Sequence, residues 1–188
     1  HPLGHDIEDI VEHQPRGRLL ANAPDGSTRL VAGGLYFANG VALAADESYL
    51  LVVETASYRV LQCPLDEARR GRCHVFADNL PGFPDGIARG ERGVFWITLA
   101  APRNALLDRL HPHPALKKAL LRLPGALRPG PQPYGFVLGL DETGRVVHNL
   151  QDPSGRAFAF ATNAVEHEGM LYLGSLSLPY AGRLRVPR

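Results

Sequence analysis

Short apolar runs bounded by turn residues dominate the chain. The turns carry Gly, Asp or Asn, which supply positive φ angles or side-chain-to-backbone hydrogen bonds. Runs of this length and composition predict an all-β protein built from short antiparallel strands. The predicted strands cover residues 17–21, 40–43, 50–54, 58–63, 74–77, 86–89, 94–99, 135–140, 146–150, 164–166, 170–175 and 181–186.

One six-residue pattern recurs along the chain. It reads FANGVA at 37–42, FPDGIA at 83–88 and FATNAV at 160–165, and each copy precedes a turn and an apolar run. Asn39 and Asp85 hold the same place in the first two copies, 46 residues apart. A period of about 40–50 residues with four short strands per unit predicts the blades of a β-propeller. A β-sandwich would not explain why the pattern recurs.

Residues 101–133 interrupt this pattern and are interpreted as an insertion between blades. Leucines at helical spacing over 105–123 alternate with basic residues, and the run is broken by the prolines within 111–114. This arrangement predicts two short helices. Three roles stay open for them: packing leucines onto the propeller, covering the channel mouth as a lid, or touching a membrane surface through 105–123.

Composition narrows the classes of protein and partner. The 188 residues carry 20 Lys and Arg against 19 Asp and Glu, a formal net charge of +1, which argues against a strongly basic nucleic-acid binder. No apolar run approaches the roughly 18 residues of a membrane span. The chain starts at His1 and its one methionine is Met170, which predicts a processed or partial chain and leaves its localisation open.

The sequence closely resembles the strictosidine-synthase-like family, including its adipocyte plasma-membrane-associated-protein branch. The resemblance rests on segments 34–43, 53–60 and 76–85, and also takes in 111–114, 133–136 and 166–175. It implies a place in the six-bladed propeller superfamily of the gluconolactonase/regucalcin group and the paraoxonases. Residues 1–188 would then form a single partial propeller domain of roughly three and a half to four blades. Unpaired strand edges in such a domain favour self-association.

Asn39 and Asp85 are the first candidates for chemistry. Each precedes a glycine at the start of an apolar strand, and the innermost strands of a propeller line its channel, so the two are expected to converge there. Amide and carboxylate oxygens suit Ca²⁺ or Mg²⁺. The resemblance implies that both are metal ligands, with a further Glu and Asn from earlier blades. The alternative is that each is an ordinary turn residue before glycine.

The third copy of the pattern bears on a different activity. The resemblance places the catalytic glutamate of strictosidine synthases at Thr162, or at Asn163 if the valines are aligned instead. Neither side chain can act as a general base. Strictosidine synthesis is therefore not expected, whereas both residues are expected to line the channel and meet the substrate.

These residues favour a metal-dependent hydrolase of small esters or lactones, with Ca²⁺ as the preferred cation. Such an ion polarises the carbonyl and stabilises the oxyanion formed by attacking water. His111 and His113 are candidate bases only if the insertion folds over the channel. The alternatives are a non-catalytic binding or scaffold propeller, or a strictosidine-synthase-like condensing enzyme in name only.

The two cysteines leave a choice between two states. Cys63 and Cys73 flank a loop between strands that are expected to pair, so a disulfide is possible and would imply an oxidising compartment. Two unrelated buried thiols are the alternative. Their spacing matches no zinc or redox motif. His167, near a hairpin turn, is expected to be a surface or packing residue.

Overall fold

The computed structural model describes residues 6–69, 71–124 and 130–187. The helices are α1 (Asp6–Glu12), α2 (Ala105–Leu110) and α3 (Pro114–Arg122), with one short 3₁₀ turn at Thr55–Ser57. The strands are β1 (Gly17–Asn22), β2 (Thr28–Leu35), β3 (Ala38–Leu43), β4 (Tyr49–Glu54), β5 (Arg59–Pro64), β6 (His74–Ala77), β7 (Gly82–Arg89), β8 (Phe95–Pro102), β9 (Gly135–Leu140), β10 (Val146–Asp152), β11 (Ala161–His167), β12 (Met170–Ser175) and β13 (Gly182–Arg185).

The strands form successive antiparallel sheets in chain order. Strands β3 to β6 make the first full blade and β7 to β10 the second full blade, while β11 to β13 make a three-stranded last blade. Strands β1 and β2 form a separate pair, at the place of the last two strands of a preceding blade. Four-stranded meanders that repeat in this way are propeller blades. The prediction of an all-β partial propeller is confirmed.

The core lies between the blades. One apolar cluster joins β2 to the first full blade, a second joins the two full blades, and a third joins the second full blade to the last blade. The middle strands β4 and β8 are buried on both faces, so they read as continuous apolar runs rather than as alternating ones. Each blade is therefore stabilised mainly by its neighbours.

Two elements and several strand starts depart from the sequence prediction. The helix α1 and the strand β2 were not predicted. Strand β2 contains Gly33–Gly34 and pairs with β1 through register shifts, so its buried positions do not alternate. The inner strands β3, β7 and β11 begin two to four residues earlier than predicted, because a bulge near each start breaks the period of two.

The cysteines form a disulfide. Cys63 lies in β5 and Cys73 just before β6, and their Cα atoms are 4.2 Å apart. The bond closes a loop at the outer edge of the first full blade, beside the cluster that holds β2. Of the two states that the sequence left open, the structure has the disulfide.

Candidate channel site

The three copies of the repeated pattern place one residue at matching bulges of the inner strands. In β3 the pairing with β4 slips between Ala38 and Val41, in β7 between Pro84 and Ile87, and in β11 between Ala161 and Asn163. Asn39, Asp85 and Thr162 are the residues set in these bulges. A bulge re-aims the side chain of its extra residue and recurs beside functional sites.

Glycines bring the inner strands into close contact. A Cβ atom on Gly40 would lie 2.6 Å from the backbone nitrogen of Ile87 and 2.7 Å from the backbone carbonyl oxygen of Asp85. A Cβ atom on Gly86 would lie 2.2 Å from the backbone carbonyl oxygen of Thr162. Only glycine permits such an approach of two backbones. Asn39 is therefore beside Asp85, and Asp85 is beside Thr162.

The bulges also decide between the two alignments of the third copy. Asn163 pairs with Gly174, and Thr162 is the unpaired residue before it. Asn163 therefore occupies the place that Gly40 and Gly86 hold in the other two blades, and it is exposed. Thr162 is the structural counterpart of Asn39 and Asp85.

Asn39 is held by a short chain of hydrogen bonds. Its Nδ2 donates to the hydroxyl of Thr55 at 3.3 Å, and that hydroxyl donates to the carbonyl of Pro84 at 2.6 Å. Thr55 is buried at the end of β4, so this chain links the first full blade to the bulge of the second. The amide oxygen of Asn39 remains available to a ligand in the channel.

Among the residues that the structure describes, no basic side chain pairs with the Asp85 carboxyl. Burial raises its pKa to about 6, while a side-chain hydrogen bond with Asn39 acts in the opposite direction. Nearby, the hydroxyl of the fully buried Thr98 accepts a hydrogen bond from the Gly86 amide at 3.1 Å, which satisfies the bulge backbone. A cation bound to the carboxylate would favour its charged form and lower this pKa.

The donor set at the bulges fits a hard cation only in part. The carboxylate of Asp85 and the amide of Asn39 are oxygen donors of the kind that Ca²⁺ binds, but Ca²⁺ takes six to eight oxygen ligands. Across the ranges described by the structure, no group of three or more His, Cys, Asp or Glu side chains could hold a metal ion. Further ligands would have to come from outside these residues.

Sequence reasoning missed a buried carboxylate behind the site. Glu54 is fully buried at the end of β4, accepts the Tyr36 amide proton at 2.7 Å and pairs with the guanidinium of Arg59. It faces Ala38 across the β3–β4 pair, directly before the Asn39 bulge. No local signal separates Glu54 from an exposed strand-end glutamate, because its partners come from the following strand and the preceding loop.

The helices lie on the same side of the blades as the bulges. The inner strands begin at this side, so in an antiparallel meander the connection between a second and a third strand also lies there. The helices α2 and α3 form that connection in the second full blade, between β8 and β9, so the prediction of an insertion between blades is wrong and the insertion lies within one blade. The helix α1 precedes β1 at the same side. We call this side the site face and the three helices the helical cap.

Buried polar groups join the cap to the propeller. The His13 ring stacks on the Tyr36 ring, with 4.5 Å between the ring centroids, and its centroid lies 4.7 Å from that of the His111 ring. Burial lowers the pKa of both histidines, and the nearby Lys117 lowers each further. The predicted candidate base His111 thus faces His13, whereas His113 is exposed at the start of α3. His167 is also exposed, so of the two roles left open it has the surface one.

The comparisons with known proteins agree with this architecture. The strictosidine synthase family profile matches residues 1–68. The chain is 36% identical to the adipocyte plasma membrane-associated protein of Bos taurus, over 94% of this chain and 45% of that protein. It is also 36% identical to a strictosidine synthase-like protein of Arabidopsis thaliana, over 79% of this chain and 41% of that protein. The chain belongs to the strictosidine-synthase-like family.

Solved structures of gluconolactonase-type proteins share the fold of this chain. A gluconolactonase from Xanthomonas campestris superposes with a TM-score of 0.60 at 19% identity, over 90% of this chain and 44% of that protein. A calcium-binding regucalcin from Agrobacterium tumefaciens superposes with a TM-score of 0.58 at 17% identity, over 89% of this chain and 47% of that protein. At these identities the likeness shows the fold. The chain spans about half the length of the relatives that it matches.

Proposed function

We propose that this chain carries part of the active site of a metal-dependent hydrolase that acts on small esters or lactones. The observation that carries the proposal is the placement of Asn39 and Asp85 on adjacent inner-strand bulges, where no described basic side chain pairs with the Asp85 carboxyl. The gluconolactonase and regucalcin neighbours, which share the fold, support the same class of activity and a divalent cation, with Ca²⁺ preferred.

In this proposal the chain's own groups hold the ion and orient the substrate. Asp85 supplies the charged oxygen, and Asn39 supplies a neutral oxygen whose position is fixed by Thr55. Thr162 lies beside Asp85 and offers a hydroxyl to the substrate, and Asn163 extends that wall of the channel. The bound cation would supply a Lewis acid that polarises the ester or lactone carbonyl.

A non-catalytic binding propeller is the second candidate. Thr162 stands where the resemblance implies the glutamate of strictosidine synthases, so the third bulge lacks a general base. The donors at the bulges could equally retain a cation that serves only to bind a ligand or to stabilise the ring. A condensing reaction of the strictosidine type has no support at Thr162 or at Asn163.

Lactone and aryl-ester hydrolysis by the whole protein, with and without a chelator, tests the proposal. We expect activity that a chelator abolishes and Ca²⁺ restores, and we expect Asp85→Asn to lose both Ca²⁺ binding and activity. Thr162→Val is the matched control for binding, since it should weaken turnover while leaving Ca²⁺ affinity unchanged. Ca²⁺ binding without hydrolysis would favour the binding propeller. Hydrolysis that ignores the chelator would contradict the metal mechanism.

A further inference from the structure

The helical cap has an unusual distribution of polar and apolar side chains. On α3 the charged Lys117 is only 6% exposed, whereas its neighbour Leu116 is 53% exposed. On α2, Leu107 is buried and Leu106 is 46% exposed. A surface helix normally buries its leucines and exposes its lysines. The outer side of this cap therefore presents Leu106 and Leu116 to solvent while Lys117 is buried.

The inward position of Lys117 is fixed by specific contacts. Its ammonium group donates to the carbonyl of Glu12 at 3.2 Å, at the end of α1. Burial lowers its pKa. Because Lys117 faces inward, the adjacent Leu116 is turned toward solvent together with the basic Lys118. The exposed apolar face is thus a consequence of how α3 docks on α1.

The charges around these leucines have one sign. The exposed charged side chains of α2 and α3 are Arg109, Lys118 and Arg122, all of them basic. The one acidic residue of the two helices, Asp108, is half-buried. Leucines interspersed with arginines and lysines on an exposed helical face are the pattern of helices that lie in the headgroup region of anionic membranes.

Other connections on the site face also expose apolar side chains. Leu176 is 75% exposed and Tyr180 is 52% exposed, and both lie in the connection between β12 and β13 of the last blade. This connection corresponds to the one that holds α2 and α3 in the second full blade. The exposed apolar groups thus lie in matching connections of two neighbouring blades, both at the site face.

A missing neighbouring blade does not account for the exposure of Leu106 and Leu116. The second full blade, to which they belong, is packed between the first full blade and the last blade. No further blade can therefore pack beside it in the ring. The described residues leave these leucines open at the site face, where a partner can reach them.

We propose that the outer side of α2 and α3 docks on an anionic lipid bilayer, with Leu106 and Leu116 entering the interface and Arg109, Lys118 and Arg122 meeting the lipid phosphates. This docking would hold the channel mouth at the membrane surface. The inference is independent of the proposed hydrolase activity, because it rests on the cap and on the β12–β13 connection and not on the bulges.

Vesicle sedimentation with the purified protein tests this docking. We expect binding to vesicles of phosphatidylcholine with about 30% phosphatidylserine, weaker binding to phosphatidylcholine alone, and weakening by high salt. The double variant Leu106→Gln/Leu116→Gln keeps helix propensity and should bind about ten-fold more weakly or worse, since it loses two apolar anchors. Lys118→Glu/Arg122→Glu should lose the preference for the anionic vesicles.

The matched control is Val75→Thr/Val146→Thr. These valines are 47% and 53% exposed, close to the values of Leu106 and Leu116, but they lie on the outermost strands of the two full blades. The control should bind vesicles like the unchanged protein, and circular dichroism should show that both variants fold. Absence of binding to anionic vesicles, or equal loss in the control, would overturn the proposal. So would a dimer in sedimentation velocity that Leu106→Gln/Leu116→Gln abolishes, because a second copy would then cover this face.

Discussion

The two full blades share one backbone plan and differ in the side chains that it carries. Both have a bulge near the start of the inner strand, followed by a glycine that touches the next inner strand. The bulge holds Asn39 in one blade and Asp85 in the other. The register places Glu54, the last residue of β4, at the position that Leu99 holds within β8, and both are fully buried.

The comparison of the two blades distinguishes residues that packing requires from residues that are free to serve a chemical role. The glycines are required because adjacent backbones approach within the radius of a methyl group. The residue before each glycine is not constrained in this way, since its side chain points away from the strand contact. Variation at that position, from Asn to Asp to Thr, is what the proposed ligand-binding role of the bulges predicts.

The largest expected effect is at Glu54, where the first full blade buries a charge and the second buries a leucine. Glu54→Ala should lower the free energy of unfolding by about 3–5 kcal/mol, because it strands the Arg59 guanidinium and the Tyr36 amide without their acceptor. Urea unfolding measures the loss. The control, Glu54→Leu/Arg59→Met, removes both charges and should lower the free energy of unfolding less than Glu54→Ala. The second full blade also has a buried leucine, Leu99, at the position of Glu54. A larger cost for the double variant would contradict this account.

The disulfide is the next difference, because only the first full blade carries one. Replacing Cys63 and Cys73 by alanine removes the bond that joins β5 to β6. Closing a loop of this length is worth roughly 2–3 kcal/mol, so we expect a loss of that size in the free energy of unfolding. Thermal unfolding with and without a reductant checks it. A reductant that lowers the melting temperature of the double variant as much as that of the parent would show another effect at work.

The inter-blade contacts can be tested at a glycine. Gly86→Ala places a methyl group 2.2 Å from the Thr162 carbonyl oxygen, and the neighbouring backbone has to shift. We expect a loss of about 1–3 kcal/mol in the free energy of unfolding, as for other overpacked sites. Gly33→Ala is the matched strand control, because the nearest atom to its new methyl group is 3.8 Å away. An equal loss in both variants would mean that intrinsic strand effects dominate.

The parts of this fold with a local sequence signal were predictable. The repeat gave the blades and the matched positions of Asn39 and Asp85, because propeller packing repeats the same residue types in each blade. The strand β2 was missed because its glycines imitate a turn and its buried positions follow register shifts rather than a period of two. The start of β7 was misplaced by the bulge at Asp85.

The hidden parts of the site depend on contacts between distant residues. Lys117 reads as an exposed helical lysine, and only its docking on Glu12 turns it inward and Leu116 outward. His13 and His111 meet through the packing of α1 against the insertion, which no spacing in the sequence encodes. Glu54 is similar, since its burial follows from Arg59 and Tyr36. Such pairings form only when distant segments pack together, whereas the repeat is visible as a local pattern in the sequence.

The smallest expected effect on stability comes from Asp85→Asn, the substitution that gives the two bulges the same side chain. Asp85→Asn gives both blades an amide, and it removes the ionisation of a carboxyl whose pKa burial raises to about 6. Since the folded form holds that proton more tightly than the unfolded chain, the unchanged protein loses stability as the pH rises from about 4 to 6.

With a chelator present, Asp85→Asn should therefore match the parent near pH 4 and exceed it by about 1–2 kcal/mol above pH 6, a gain reduced by the partial exposure of the site. Urea unfolding across this range measures the difference. A difference that does not change with pH would show that ionisation of Asp85 is not its cause. Added Ca²⁺ sharpens the comparison, because a cation on the carboxylate should stabilise the parent and leave Asp85→Asn unchanged. The order of stability would then reverse, which would separate a ligand-binding carboxylate from one that is merely buried.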